Sequence, residues 1–211
     1  MITPELIEYA ENHSTPELPI LEKLTRETHL TRIYPRMLAG QLQGTFLRFV
    51  SEMLKPRRIL EIGTFTGYSS INFACGLVND GVLHTIEVDP EQEDIIRRYI
   101  SETGMDNKII LHIGDAKTVI PTLHEQWDLV YIDADKPHYL DYYKMVLDQL
   151  RPGGFLLADN ALWDGKVLHD RSKMNKDTTG IDDFNKYVQQ DDRVENVLLP
   201  FRDGMMMIRK K

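Results

Sequence analysis

Leu60-Glu61-Ile62-Gly63-Thr64-Phe65-Thr66-Gly67-Tyr68-Ser69 reads as the end of a strand, a tight glycine turn and the start of a helix. The apolar run Ile59-Leu60-Glu61-Ile62 is short and β-prone, and glycine tolerates the backbone angles that a sharp turn demands. Further runs of the same kind follow: Val82–Ile86, Ile109–Ile113, Leu129–Ile132 and Phe155–Ala158. Between them lie stretches long enough for one helix each, such as Ser69–Leu77 and Glu91–Thr103. Apolar strands that alternate with helices predict a doubly wound α/β fold, with a buried and mostly parallel sheet. At the end of the chain, Val194–Leu199 and Met205–Ile208 flank Pro200-Phe201-Arg202-Asp203-Gly204, which predicts an antiparallel pair joined by a turn.

Upstream of the first strand, Thr3-Pro4-Glu5 and Thr15-Pro16-Glu17 each offer a capping hydroxyl, a first-turn proline and an acid. Both are expected helix starts. A third helix is expected over about Gln41–Leu54, with Leu42, Phe46, Phe49, Val50 and Met53 on its apolar face. Asp164–Gly180 is long, polar and charged, and is expected to be a loop. The expected organisation is one domain over 1–211, with a helical N-terminal cap at 1–40 and a Rossmann-like core at 41–211.

Composition narrows the function. The chain has 211 residues and a net charge of -8, which disfavours nucleic acid as a partner, because phosphate contacts need clustered Lys and Arg. One cysteine, Cys75, rules out an intrachain disulfide. Met1–Ala10 has neither the basic stretch nor the apolar core of a signal peptide, and no run approaches a membrane span. A cytoplasmic protein is the expectation.

Ligands of doubly wound sheets bind at the carboxyl ends of the strands. Gly63 and Gly67 allow close backbone approach there, and Ser69 sits where helix N–H groups favour an anion. The spacing G-x-x-x-G is not the dinucleotide fingerprint, which counts against NAD. The second strand ends at Glu87, an acid placed to accept hydrogen bonds from both hydroxyls of a ribose. Together these features point to a nucleoside-type cofactor. Asp115, after the third strand, is either an adenine-edge contact or a helix cap. The fourth strand delivers Asp133-Ala134-Asp135-Lys136 and the fifth Asp159-Asn160. Neighbouring strands lie about 4.8 Å apart, so two carboxylates and an amide can converge. That hard oxygen set suits Mg²⁺, Ca²⁺ or Mn²⁺ and disfavours zinc. Lys136 is placed to accept a proton from a hydroxyl bound there.

These motifs carry a resemblance. Leu60–Ser69, Tyr131-Ile132-Asp133-Ala134-Asp135-Lys136 and Ala158-Asp159-Asn160 with Leu162-Trp163 resemble the cation-dependent O-methyltransferases, the group of animal catechol O-methyltransferase and plant caffeoyl-CoA O-methyltransferase. The resemblance runs from about Met37 to the C-terminus. It implies a seven-stranded sheet with a reversed last strand, S-adenosylmethionine as cofactor, a divalent cation (Mg²⁺ foremost), a small phenolic substrate and a homodimer. It implies metal ligands at Asp133, Asp159 and Asn160, and catalytic roles for Lys136 and Asp133. It implies cofactor contacts at Ala39, Gly63, Phe65, Ser69, Glu87, Val88, Ala116, Asp133 and Asp135. The sequence departs from the family at Asp164, where the plant enzymes carry a substrate-contacting asparagine. A counterpart of the animal enzyme's catechol-binding acid is also missing, so the substrate's identity is open.

Two other functions compete with a catechol-like substrate. A hydroxylated tRNA base would use the basic run Lys166, His169, Arg171, Lys173 and Lys176. A noncatalytic module would keep only the cofactor fold. Met205-Met206-Met207 reads as core strand rather than a soft metal site, Cys75 as core, and His138 as a surface residue. Trp163 and Tyr139 read equally as an aromatic substrate wall or as packing.

Overall fold

The computed structural model describes residues 3–211, so Met1 and Ile2 of the Met1–Ala10 segment lie outside the described residues. In chain order the elements are α1 (Pro4–Asn12), α2 (Pro19–Thr31), α3 (Gly40–Leu54), β1 (Arg58–Ile62), α4 (Tyr68–Ala74), β2 (Val82–Glu87), α5 (Glu93–Glu102) and β3 (Ile109–Ile113). They continue with α6 (Ala116–Val119), β4 (Trp127–Ile132), α7 (Tyr139–Leu147), β5 (Leu150–Ala158), α8 (Lys176–Gln190), β6 (Val194–Leu199) and β7 (Met205–Lys210). The sheet has seven strands in the order β3-β2-β1-β4-β5-β7-β6. β1 pairs parallel with β4, β2 with β3, and β4 with β5. β7, the last strand, runs antiparallel to both β5 and β6, as expected. Among the described residues no helix is long and apolar enough to cross a membrane.

The chain divides into two compact units. One comprises the residues up to Arg57 with Thr64–Ile113, the other Arg58–Gly63 with Gly114–Lys211. In the first, α3 packs on α4 through small side chains. A Cβ on Gly44 would stand 2.6 Å from the Tyr68 ring, and one on Gly76 would stand 2.2 Å from the Ser51 carbonyl carbon. This corrects the expected apolar face of α3. Its buried residues are Gln43, Gly44, Leu47, Val50 and Ser51, whereas Phe49 and Met53 are exposed. Hydropathy cannot see a helix contact whose closeness depends on glycine and serine.

The second helix start is also corrected. The helix begins at Pro19, not Pro16. Had it begun at Pro16, Pro19 would fall at the fourth helical position. There the backbone N–H is needed and the ring collides with the carbonyl one turn back. Leu18, ahead of that proline, is extended, as pre-proline residues are. Glu17 instead accepts a hydrogen bond from the Tyr68 hydroxyl at 2.7 Å.

In the second unit, β4 and β5 are the buried centre, with Leu129, Val130, Tyr131 and Ile132 facing Leu156, Leu157 and Ala158 at essentially no exposure. Met205 and Met206 are buried strand residues, as expected, whereas Met207 is half-buried. The Asp164–Gly180 stretch is not all loop. It holds two short 3-10 turns, and α8 begins at Lys176, where the Asn175 side chain accepts from the Thr178 N–H at 2.9 Å. That Asn175 cap was the overlooked signal.

Candidate functional site

The first unit contributes the turn after β1. Phe65 and Gly67 both take left-handed backbone angles, with φ of 52° and 91°. What holds the turn is Glu87 at the end of β2. Its carboxylate accepts from the Phe65 N–H at 2.7 Å and from the Asp89 N–H at 2.9 Å. Beneath it, the Thr64 and Thr85 hydroxyls are 2.5 Å apart. Glu87 is buried, and burial pushes its carboxyl above the ordinary range, opposed by those two backbone N–H groups. Each carboxylate oxygen keeps lone-pair capacity beyond one N–H. Ser69 is buried in the first turn of α4, Ala39 caps α3, and the Val88 side chain is 71% exposed beside Glu87.

The second unit contributes the ends of β1, β4 and β5. Gly63 has φ of 97°, and a Cβ there would lie 2.0 Å from the Asp133 carbonyl oxygen. The missing side chain therefore makes room for the neighbouring strand's backbone, whose Asp133 N–H donates to the Ile62 carbonyl at 2.9 Å. The pairing of Ile132 with Ala158 puts Asp133 and Asp159 one residue beyond the last paired positions of adjacent strands. Lys136 is buried. Its ammonium donates to Asp133 at 3.0 Å and to the Tyr139 hydroxyl at 2.7 Å. It also lies 4.8 Å from the Tyr139 ring centroid and 5.7 Å from that of Trp163. Asp159, only 6% exposed, accepts from the Asn160 N–H at 2.7 Å and from the Tyr131 hydroxyl at 3.3 Å.

Two carboxylates, Asp133 and Asp159, and the Lys136 ammonium gather at these strand ends. The phenols of Tyr131 and Tyr139 respond. Burial pushes both well above their ordinary range, and the charges of Asp133 and Asp159 push them further. A divalent cation fits this donor set of two carboxylates and an amide oxygen. Among the described residues there is no group of three or more His, Cys, Asp or Glu side chains arranged to hold a metal, so the amide of Asn160 is essential to that fit.

Ala116 is buried at the start of α6, and Asp115 caps that helix by accepting from the Lys117 N–H at 2.8 Å. The cap, one of the two alternatives left open, is thus the observed contact. Asp135 accepts a short hydrogen bond from the Tyr142 hydroxyl and lies 3.6 Å from His138. Tyr139 is fully buried against Lys136 and Phe184, so it packs and positions rather than lining a wall; Trp163 is half-buried. Cys75 is half-buried too. The basic run is largely neutralised: Arg171 pairs with Asp182 and Asp183, Lys173 with Asp170, and Lys166 with Asp164.

Three supports were missed by sequence reasoning. Tyr139 holds the lysine. Gly180 of α8 rests on the Lys136–Pro137 backbone, where a Cβ would meet the Lys136 carbonyl oxygen at 2.5 Å. Asp203 braces the turn after β5, where Asn160, Trp163 and Asp164 have φ of 57°, 48° and 55°. Left-handed angles at such residues cost on the order of 1 kcal/mol each and persist only where neighbours impose them.

Comparison with known proteins agrees with this architecture. A family model described as O-methyltransferase matches residues 11–211. A catechol O-methyltransferase of Niastella koreensis is 36% identical over 142 residues, covering 65% of this chain and 64% of that protein, just under two thirds of its length. A caffeoyl-CoA O-methyltransferase of Zea mays is 32% identical over 92% of this chain and 78% of its own. The crystal structure of an O-methyltransferase from Bacillus cereus in complex with SAH superimposes with a TM-score of 0.91. It is 28% identical, over 97% of this chain and 96% of that one. The chain belongs to the O-methyltransferase family.

Proposed function

We propose that this chain transfers the methyl group of S-adenosylmethionine to one hydroxyl of a small vicinal dihydroxy aromatic, with a divalent cation held by Asp133, Asp159 and Asn160. The observation that carries the reading is the cluster at the ends of β4 and β5, where buried Lys136 donates to half-buried Asp133 and buried Asp159 stands at the end of the adjacent strand. The similarity to a catechol and a caffeoyl-CoA O-methyltransferase, and to a structure in complex with SAH, supports the same chemistry.

In this reading, Glu87 accepts the ribose hydroxyls while its backbone contacts keep the 64–68 turn closed. Ala39, Gly63, Phe65, Ser69, Val88, Ala116, Asp133 and Asp135 complete the cofactor contacts. The bound cation supplies positive charge that lowers the pKa of a substrate hydroxyl. The neutral amine form of Lys136 receives the hydroxyl proton at Nζ and becomes the ammonium, and Tyr139 and Asp133 fix where that nitrogen stands. A C–O bond then forms as the S–C bond breaks, and the electron pair of that bond stays on sulfur. Trp163 offers its ring to the aromatic acceptor. Alignment of oxygen, methyl carbon and sulfur provides much of the rate gain. The working form in this reading is a homodimer, which the exposed Leu6 and Tyr9 of α1 and Phe49 and Met53 of α3 favour.

The test is transfer of label from S-adenosylmethionine to a panel of catechols, with Mg²⁺ and with EDTA. Turnover that EDTA removes and Mg²⁺ restores is expected. Turnover indifferent to EDTA would remove the cation from the account, and label on tRNA but on no catechol would change the substrate class.

A further inference from the structure

We infer that Asp203, in the turn between β6 and β7, is the positioning residue that aims the Asn160 amide oxygen at the cation; this rests on the cation reading above. A carboxylate can only accept, so the Asn160 nitrogen must be the atom that faces it, and the Asn160 Nδ2 lies 3.4 Å from Asp203 Oδ2. That contact commits the amide. With nitrogen held on the Asp203 side, the oxygen is the atom left for the site. The other Asp203 oxygen accepts from the Asp164 N–H at 2.5 Å. One side chain therefore ties both ends of the turn from Asn160 to Asp164, in which Asn160, Trp163 and Asp164 take left-handed angles.

The backbone of the same turn completes the clamp. The Asp203 and Gly204 carbonyls accept from the N–H groups of Leu162 and Ala161, each at 2.9 Å. Gly204 has φ of 89°, and a Cβ there would stand 2.5 Å from Leu162 Cγ, so the two turns approach as closely as glycine permits. From the other side, the Asn185 amide donates to the Ala161 carbonyl at 2.7 Å. Asn160 is thus presented by a turn pinned on both flanks, with its amide orientation set by Asp203. Groups that orient a metal's ligands commonly change affinity by about 10–100-fold when removed.

The test is Mn²⁺ binding followed by electron paramagnetic resonance, on wild type, Asp203→Asn, Asn160→Asp and the double variant, with thermal melts and S-adenosylmethionine binding alongside. Asp203→Asn keeps an oxygen for the Asp164 N–H but turns an NH₂ toward Asn160. The Asn160 amide must then flip and point nitrogen at the site. Mn²⁺ affinity is expected to fall about tenfold or more, with cofactor affinity unchanged. The double variant restores a donor at 203 and an acceptor at 160, and is expected to recover most of the Mn²⁺ affinity that Asp203→Asn loses. Because Asn160→Asp alone also adds a carboxylate to the site, the rescue is the gain that Asn160→Asp makes on the Asp203→Asn background beyond the gain it makes on wild type; a merely structural role for Asp203 would not show that surplus. Wild-type Mn²⁺ affinity in Asp203→Asn, or no such surplus in the double variant, would overturn the inference alone. Failure of wild type to bind Mn²⁺ would overturn the cation reading and the inference with it.

Discussion

Substituting alanine for Gly180 tests whether α8 sets the position of Lys136, the proposed proton acceptor. The new Cβ would lie 2.5 Å from the Lys136 carbonyl oxygen and 2.6 Å from Pro137 Cα, both backbone atoms, whereas ordinary contact begins at 3.4 Å. Either α8 or the Lys136–Pro137 turn must retreat by the difference between 3.4 Å and 2.5 Å, about 0.9 Å. Overpacking of this kind costs about 1–3 kcal/mol, and the better helix propensity of alanine returns about 1 kcal/mol. The net loss of stability is therefore at most about 2 kcal/mol, and the variant should fold. Activity should suffer more, because misplacing a reacting group by about 1 Å can cost roughly 100-fold. The assay is labelled methyl transfer at saturating cofactor and acceptor, with a thermal melt on the same sample. A kcat reduced 10- to 100-fold in a folded protein, with KM for S-adenosylmethionine little changed, is expected. A folded Gly180→Ala with wild-type kcat would refute the claim that this close approach positions Lys136.

Three further substitutions have expected outcomes of their own. Glu87→Gln should weaken S-adenosylmethionine binding by tenfold or more, measured by calorimetry, since a buried charged acceptor is replaced by a neutral one that also donates. Burial raises the Glu87 carboxyl, so its ionised form opposes folding increasingly as pH rises above the ordinary carboxylate value. The melting temperature of Glu87→Gln relative to wild type should accordingly rise between about pH 4 and pH 8; a constant difference would contradict the burial argument. Tyr139→Phe removes the hydroxyl that Lys136 donates to, and should lower kcat about tenfold while costing about 1 kcal/mol of stability, measured by turnover and chemical denaturation. Asp191, held at about 2 by Arg193 and also accepting from Tyr143, contributes stability above the ordinary Asp value and loses it as pH falls toward 2. Asp191→Asn should therefore cost about 1–2 kcal/mol at neutral pH, with the gap to wild type closing as pH falls from about 4 to 2.

The parts legible in the sequence are those with local causes. Ile59–Ile62 and Leu129–Ile132 announce buried strands because, Glu61 apart, the side chains along them are aliphatic or aromatic. Asp133, Lys136 and Asp159 stand out because charge at the end of such a strand needs a reason. The overlooked parts depend on contacts between distant residues or on competition between local signals. Pro16 looked like a helix start until Pro19, three residues on, removed a hydrogen bond the helix needs. Phe49 and Met53 looked like core because hydropathy cannot register that Gly44 and Ser51 admit the neighbouring helix. Asp203 and Gly180 lie far in sequence from Asn160 and Lys136, and nothing in their local patterns reveals the turns they brace. Gly63 offers a sharp turn and close ligand approach in the sequence, and in the structure a Cβ there would also meet the Asp133 carbonyl oxygen. The same residue type at the same turn can serve packing, binding or both.

The most direct test of the central claim is labelled methyl transfer to a catechol by Asp159→Ala in saturating Mg²⁺, with S-adenosylmethionine binding measured on the same preparation. Turnover at background with cofactor binding retained is expected, because Asp159 is a proposed ligand of the cation whereas Glu87 holds the 64–68 turn and the proposed ribose site. Turnover equal to wild type would contradict that claim.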